Sequence, residues 1–533
     1  MQEFGALFGL LFVALAIAAL AKRFDQPYPI ALLVGGILLA FIPGAPVPRL
    51  NPDMVFFLLL PPILCEAAYF TSWRDFWKWR RPILLLALGL VTATSAVVAA
   101  LCVFLIPGMS WSVGFVLGAI VSPPDAAAAT SIIRGLRLPR RIVQIIEGES
   151  LVNDASALTL YRFAVAAVVT GTFSLGDALL SFAWLAVGGT AIGLAIGFAF
   201  TKIYRWIKDP EVEIIATFLV AYSSYWVAEV VHASGVLAVV AAGLWLGRCG
   251  PEMFNATTRI RAHAVWQTAI FLVNVGIFLL IGLQLPSLLA SLRGYPLDDV
   301  IVWCVAISIG VIAIRLLWMF PGAYLPRALS KRIRETEARP SWQSVTIIGW
   351  TGLRGVVSLA AAMALPEETS TGLPFPYRTL ILLMTFAVIL ATLIVQGMTL
   401  RPVIRWLGIP QDHTSEEEEL FARVHTTERV LDRLAELERI EAAPRPVVER
   451  IRGYFEDRAA ELRARLEIET GGAAIENQPE EFRSLAEQRL WYEVVRTERQ
   501  ALLDLRRQNK IGDEVLHAME RDTDLLEARI AAR

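Results

Sequence analysis

The run at residues 82–106, PILLLALGLVTATSAVVAALCVFLI, carries no charged side chain. A helix needs roughly 20 apolar residues to cross the hydrocarbon core of a bilayer. Within that core every backbone N–H and C=O must be satisfied inside a helix or a closed barrel. A run of this length and composition therefore reads as a membrane-crossing helix. Thirteen stretches read the same way, near 4–21, 29–43, 53–70, 82–106, 111–133, 141–170, 178–203, 211–231, 234–248, 264–288, 299–320, 342–365 and 378–400. With 56% hydrophobic residues and a mean hydropathy of +0.54, the whole chain is too apolar for a soluble domain. The first run lacks a basic n-region and a cleavage site, so it is read as a span and not as a signal peptide.

Charge is unevenly placed. Of 49 Lys+Arg and 50 Asp+Glu, 20 and 29 lie after Pro410, which puts a domain boundary there and divides the chain into 1–410 and 411–533. Neither part is basic enough to suggest nucleic acid. With thirteen spans, one set of loops collects 21 Lys/Arg, whereas the other holds Arg49, Arg293 and Arg378. The positive-inside rule then puts the N-terminus outside and the charged tail in the cytoplasm, as for a multi-pass protein of the plasma (inner) membrane. Cys65, Cys102, Cys249 and Cys304 lie in or beside apolar runs without metal-ligand spacing and read as packing residues.

Two spans are interrupted. The fifth carries SPPDAAAA at 122–129, where Pro123 and Pro124 remove two backbone donors, and the twelfth carries GWTGLRGVVS at 349–358 with three glycines. Proline and glycine are common in membrane helices, which suffices to explain one such span. Two at positions seven helices apart ask for more. They suggest two six-helix repeats joined by helix seven, inverted because seven is odd, and such paired breaks mark transporter binding sites near the bilayer midplane.

Ionisable groups inside spans are expensive and face cavities or partners. Asp154, in GESLVNDA, lies about 20 Å along a helix starting near Arg141 at 1.5 Å per residue. Desolvation at that depth penalises a bare carboxylate, which suits a group that trades a proton for a cation. Asp125 follows the double proline, where unwound backbone frees carbonyl oxygens. Together with Ser150 and Asn153 these oxygens suit a hard alkali cation such as Na⁺ at Asp154, and the scarcity of His and Cys argues against a transition metal. Glu66, in LLPPILCEAAYF, is a further candidate for the cation site. Arg354 and Arg315 lie within spans and balance the acids of the crossing region, and Arg162 is near enough to a helix end to snorkel. Glu149 needs a partner, and Arg354 is the expected one. Breaking such a pair should destabilise the fold, so both residues are expected to be structural first.

GESLVNDA, the preceding proline–aspartate break, LLPPILCEAAYF and GLRGVVSLA, in this order over residues 1–410, resemble the sodium/proton exchangers of the first monovalent cation:proton antiporter family, especially its bacterial members. The resemblance implies an all-α polytopic fold of thirteen helices with inverted repeats and a homodimer of independent protomers. It implies an Asp154 that carries Na⁺ and H⁺ in turn, a Glu149–Arg354 pair, and Asn153 holding the site together, with Ser150, Asp125 and Glu66 contributing to it. No cofactor is implied, Na⁺ and H⁺ being the cargo. Many relatives have Thr or Val before the crossing aspartate and Pro after it, whereas Pro124 precedes Asp125 here. Electrogenic relatives tend to carry two adjacent aspartates where this chain has Asn153-Asp154. With one titrating carboxylate the Na⁺-loaded and H⁺-loaded sites are both neutral, which predicts one-for-one, electroneutral exchange of Na⁺, or Li⁺, for H⁺.

A K⁺/H⁺ exchanger of the same fold is the nearest alternative. An ion channel fits inverted repeats around one buried titratable site less well, and an intramembrane aspartyl protease would require a GxGD sequence that is absent. After Pro410 the pattern is helical and mixed in charge, with Val430, Leu434 and Leu437 at helix spacing and the segment 487–509 in the same vein. Glu416–Glu419 reads as a solvated linker.

Overall fold

A computed structural model describes residues 2–24, 26–42, 52–133, 136, 138–171, 175–207, 209–254, 256–290, 295–337, 339–370, 372–409, 414–439 and 445–469. The chain divides into two compact units, Met1–His413 and Thr414–Arg533.

The regular structure of the first unit is helical. In chain order it consists of α1 (Gln2–Arg23), α2 (Tyr28–Ala40), α3 (Pro52–Phe70), α4 (Trp73–Lys78), α5 (Arg80–Leu105), α6 (Trp111–Val121), α7 (Ala126–Ile133), α8 (Arg140–Thr170) and α9 (Leu175–Ile203). There follow α10 (Pro210–Val230), α11 (Gly235–Met253), α12 (Ala256–Leu283), α13 (Leu285–Ala290), α14 (Leu297–Leu329), α15 (Lys331–Thr336), α16 (Trp342–Trp350), α17 (Val356–Met363) and α18 (Arg378–Leu407). Among the described residues six helices are long and apolar enough to cross a membrane, namely α5, α8, α14, α18, Leu180–Ile203 of α9 and Thr258–Leu283 of α12. The protein is thus an all-helical, polytopic membrane protein.

The two interrupted stretches are broken as the sequence suggests. Residues 122–125 separate α6 from α7, and residues 351–355 separate α16 from α17. A proline pair alone does not break a helix here, because α3 runs unbroken through Pro61 and Pro62. Pro62 cannot bond back to the Leu58 carbonyl, and that oxygen instead accepts the Tyr222 hydroxyl of α10 at 3.0 Å. Between α10 and α11 the split falls at HASG, where His232 adopts φ 55° and the Ser234 hydroxyl caps α11 by accepting from the Leu237 N–H. Proline is also tolerated in α14, which continues through Pro321 to Leu329.

Lipid tails are as apolar as leucine, so close approach through small residues holds membrane helices together. A Cβ on Gly118 of α6 would lie 2.5 Å from the Ser95 carbonyl oxygen of α5, and one on Gly282 of α12 would lie 2.3 Å from that of Leu33 in α2. The core is arranged around α8. Ile142, Ile145 and Ile146 join one buried cluster, Leu151 and Ala155 a second, and Tyr161 and Ala164 a third. Successive turns of this one helix thus touch different parts of the unit.

In the second unit α19 (Thr414–Arg439) and α20 (Arg445–Glu469) form an antiparallel hairpin, with Glu428 bonded to Arg463 at 2.6 Å and Glu438 paired with Arg452. The backbone of Glu416–Glu419 is helical and not a linker. Acidic residues in a first helical turn sit at the positive end of the helix dipole, which favours helix over coil there. The segment 487–509 lies outside the described residues.

Candidate cation-binding site

The two breaks touch. The Asp125 N–H donates to the Leu353 carbonyl at 2.6 Å, so unwound backbone from one break closes a bond that the other left open. Asp125 also begins α7, its Oδ1 accepting from the Ala128 N–H at 3.4 Å. Its carboxylate lies against Gly355, where a Cβ would stand 1.9 Å from Oδ2. Glycine is required at 355 because the acid occupies the space of a side chain.

Arg354, buried in the second break, reaches into the first. Its Nε donates to the Val121 carbonyl at 2.9 Å and its second terminal nitrogen to that of Ser122 at 3.3 Å, while the other terminal nitrogen bonds the Gly352 carbonyl. The Val121 and Ser122 oxygens lie at the end of α6, where carbonyls lack helical partners. A guanidinium at the negative end of that helix satisfies them and opposes its dipole. The Arg354 N–H is itself held by the Thr392 hydroxyl at 3.1 Å.

This geometry corrects one expectation. Glu149 pairs with Arg315 and not with Arg354: the Arg315 guanidinium from α14 donates to both carboxylate oxygens, at 2.6 and 2.9 Å, and to the Ile348 carbonyl at 3.1 Å. Both side chains are 1% exposed. Arg354 has its hydrogen-bonding capacity engaged by carbonyls at the breaks, whereas Arg315 presents a fork matched to a carboxylate. The residue expected to neutralise the crossing region joins the ion pair, and the expected pair member caps the crossing. Arg162 pairs with Glu229 of α10 at 2.9 Å.

A cavity of about 800 Å³ opens beside α8, and Asp154, Asp125, Ser150 and Glu66 all line it. Asn153 instead points to the break, its amide donating to the Pro124 carbonyl at 3.3 Å and so tying α8 to the unwound segment. One helical turn on, the Ser156 hydroxyl bonds the Ala87 carbonyl in the π-helical stretch Leu85–Leu90 of α5, where a wider turn disturbs the usual pairing. Asp154 is 6% exposed. The charges acting on it are the carboxylates of Asp125 and Glu149, and among the described residues no Lys or Arg pairs with it. A buried carboxylate set among like charges needs a proton or a cation.

Sequence reasoning gave no role to Glu147, Thr130, Ser131, Asn274 or Ser358, which also line the cavity. Glu147 carried a signal. It lies seven residues, about two helical turns, before Asp154, so both fall on one face of α8. The others are neutral side chains with no charge to mark them.

Comparison with known proteins places these features in context. Residues 10–406 match the family described as sodium/hydrogen exchanger, transmembrane. An uncharacterized Na⁺/H⁺ exchanger of Mycobacterium tuberculosis is 33% identical over 540 residues, spanning 99% of this chain and 97% of its own length. A sodium, potassium, lithium and rubidium/H⁺ antiporter of Bacillus pumilus is 33% identical over 402 residues, spanning 73% of this chain and 60% of its own length. In fold, the chain is similar to the sodium proton antiporter MjNhaP1 of Methanocaldococcus jannaschii, with a TM-score of 0.58, 19% identity and coverage of 76% of this chain and 100% of that one.

Proposed function

Because the chain belongs to the transmembrane sodium/hydrogen exchanger family, a family of transporters and not of enzymes, we propose that it exchanges Na⁺ for H⁺ one for one, by alternating access at Asp154. The observation that carries this reading is the single cavity that brings Asp154, Asp125, Ser150 and Glu66 together beside two touching helix breaks. Asp154 holds either ion in turn. Ser150, Asp125, Glu66 and freed carbonyls supply further oxygens of the kind a hard cation prefers. Asn153 fixes the break against α8 and adds no charge. The Na⁺-loaded and H⁺-loaded sites then carry the same charge, so neither voltage nor a counter-ion is needed to drive their exchange. Pro124 offers no side-chain oxygen where a threonine would, so the cation relies on its neighbours.

The rest of the reading follows from the resemblance and the pattern of basic loops. It has thirteen crossings in two inverted repeats, an outside N-terminus, a cytoplasmic tail from residue 411, and a homodimer in the plasma membrane. A second reading, K⁺/H⁺ exchange, is favoured by the breadth of ions in the name of the Bacillus pumilus relative. Proteoliposomes loaded at one pH and jumped to another, with Na⁺, Li⁺ and K⁺ offered separately and in competition, decide between them. In the same assay Asp154→Asn, which keeps the shape and removes the charge, should abolish exchange while the protein remains folded and monodisperse. Full activity in that variant rules Asp154 out as the exchange site.

A further inference from the structure

A second, smaller cavity lies on another side of α8, with arginines at its mouth. We infer that this slot, between α5, α8, α14 and α16, binds an anionic phospholipid, with the headgroup phosphate held by Arg81 and Arg141 and methylenes lodged in the slot. The slot measures about 50 Å³, and apart from the two arginines and Ser344 its lining is apolar, with Leu85, Ile145, Ala323 and Val345 among its walls.

The charge at the mouth is predominantly positive. Arg81 donates to both Glu337 oxygens, at 3.0 and 2.6 Å, and Arg327 donates to the Glu337 main-chain oxygen at 2.5 Å. Arg141 stacks over the Trp79 ring, 4.5 Å from its centroid, and is within electrostatic reach of Arg81, Arg327 and Glu337. Three guanidiniums thus gather about one carboxylate. Basic pockets between transmembrane helices, on the side bearing the basic loops, suit anionic headgroups.

The surroundings choose a lipid over a soluble anion. Leu84, Leu88, Phe320 and Leu325 near the slot are exposed large hydrophobics, the surface a bilayer covers. On adjacent α4, Trp73 and Trp77 are exposed and stacked 5.9 Å apart, and Arg80 lies over Trp77 at 5.0 Å. Exposed tryptophans with basic neighbours mark the headgroup level of a membrane. A free phosphate would use the arginines and leave the apolar walls idle. The lipid would also bear on the transport core, since Ile348 lines the slot and its carbonyl accepts the Arg315 bond that steadies Glu149.

The test measures thermal unfolding and lipid retention of the purified full chain in detergent. The additions are dioleoylphosphatidylglycerol, dioleoylphosphatidylcholine, glycerol 3-phosphate and inorganic phosphate. Phosphatidylglycerol should raise the unfolding midpoint and stay bound in native mass spectrometry, and the other three should do neither. Arg141→Gln should weaken retention about five-fold, the loss expected for one basic contact near a membrane surface. Ala323→Leu, which fills the slot and leaves both arginines, should weaken it as well, whereas Lys202→Gln, outside the slot, should not.

Equal effects of phosphatidylglycerol and phosphatidylcholine overturn the proposal. So does a full shift with glycerol 3-phosphate or phosphate, which would leave a soluble-anion site, or retention unchanged in both slot variants. Where a variant fails to fold, the comparison of lipids on the unaltered chain still decides.

Discussion

At the scale of single residues, the three buried charges Glu149, Arg315 and Arg354 have distinct tasks. Glu149 and Arg315 satisfy each other through two hydrogen bonds, and removal of either leaves an uncompensated charge in a dry site. Such a loss costs about 3–5 kcal/mol. Glu149→Gln or Arg315→Met alone should therefore lower yield and thermal stability sharply, and the double variant should lose less than the sum of the two. A double-mutant cycle on unfolding midpoints checks this, and additive losses would break the assignment. The cycle of Glu149 with Arg354 should show weaker coupling, because Arg354 bonds carbonyls and not the carboxylate. Sequence placed all three residues in the core but paired Glu149 with Arg354, where the structure pairs it with Arg315. Two arginines inside spans compete for one glutamate, and the choice depends on which faces it across the bundle. The GLRG setting held a clue, since an arginine at a break lies where unpaired carbonyls collect.

At the scale of elements, the consequential feature is that two breaks fit into one another. Gly352 and Gly355 look alike in sequence but face different neighbours. A Cβ at 355 would strike the Asp125 carboxylate, and one at 352 would stand 2.4 Å from the Arg315 side chain. Gly355→Ala should displace Asp125 and lower the apparent affinity for Na⁺ at least about tenfold, equivalent to about 1.4 kcal/mol, with little loss of stability. Gly352→Ala should act mainly on stability through Arg315. Transport KM and unfolding midpoints measured on both variants distinguish these effects, and equal changes in both would contradict this account. Helices and breaks were legible because apolar runs, prolines and glycines act locally. Whether a proline pair breaks its helix was not. Pro61–Pro62 and Pro123–Pro124 differ in what neighbouring elements offer the freed carbonyls, and Tyr222 lies far from Leu58 in sequence. The acidic run 416–419 was misread because charge density suggested solvation, while its position at a helix start favoured order.

At the scale of the whole molecule, the proposed exchange at one carboxylate, Asp154, sets the net charge that moves. Exchange by the unmodified protein in proteoliposomes should be unchanged when a K⁺/valinomycin clamp sets the membrane potential, and voltage-dependent flux would overturn the electroneutral reading without touching Asp154 as the site. The placement of the cavity has a further electrical consequence. Beyond Asp154, Tyr161 and Ala164 of α8 pack in an apolar cluster with Val113 and Phe375. A cavity of about 800 Å³ has room for many waters, and such water would carry the potential inward, so that the voltage drop would concentrate across the packed stretch. A full membrane potential is worth about 2.3 kcal/mol per elementary charge per 100 mV. On the proposed route, an ion travelling from the cavity mouth to Asp154 would meet only a small part of it. Electrically, with the proposed site at Asp154, the protein would be a capacitor thinner than the bilayer around it, with that site resting against one plate.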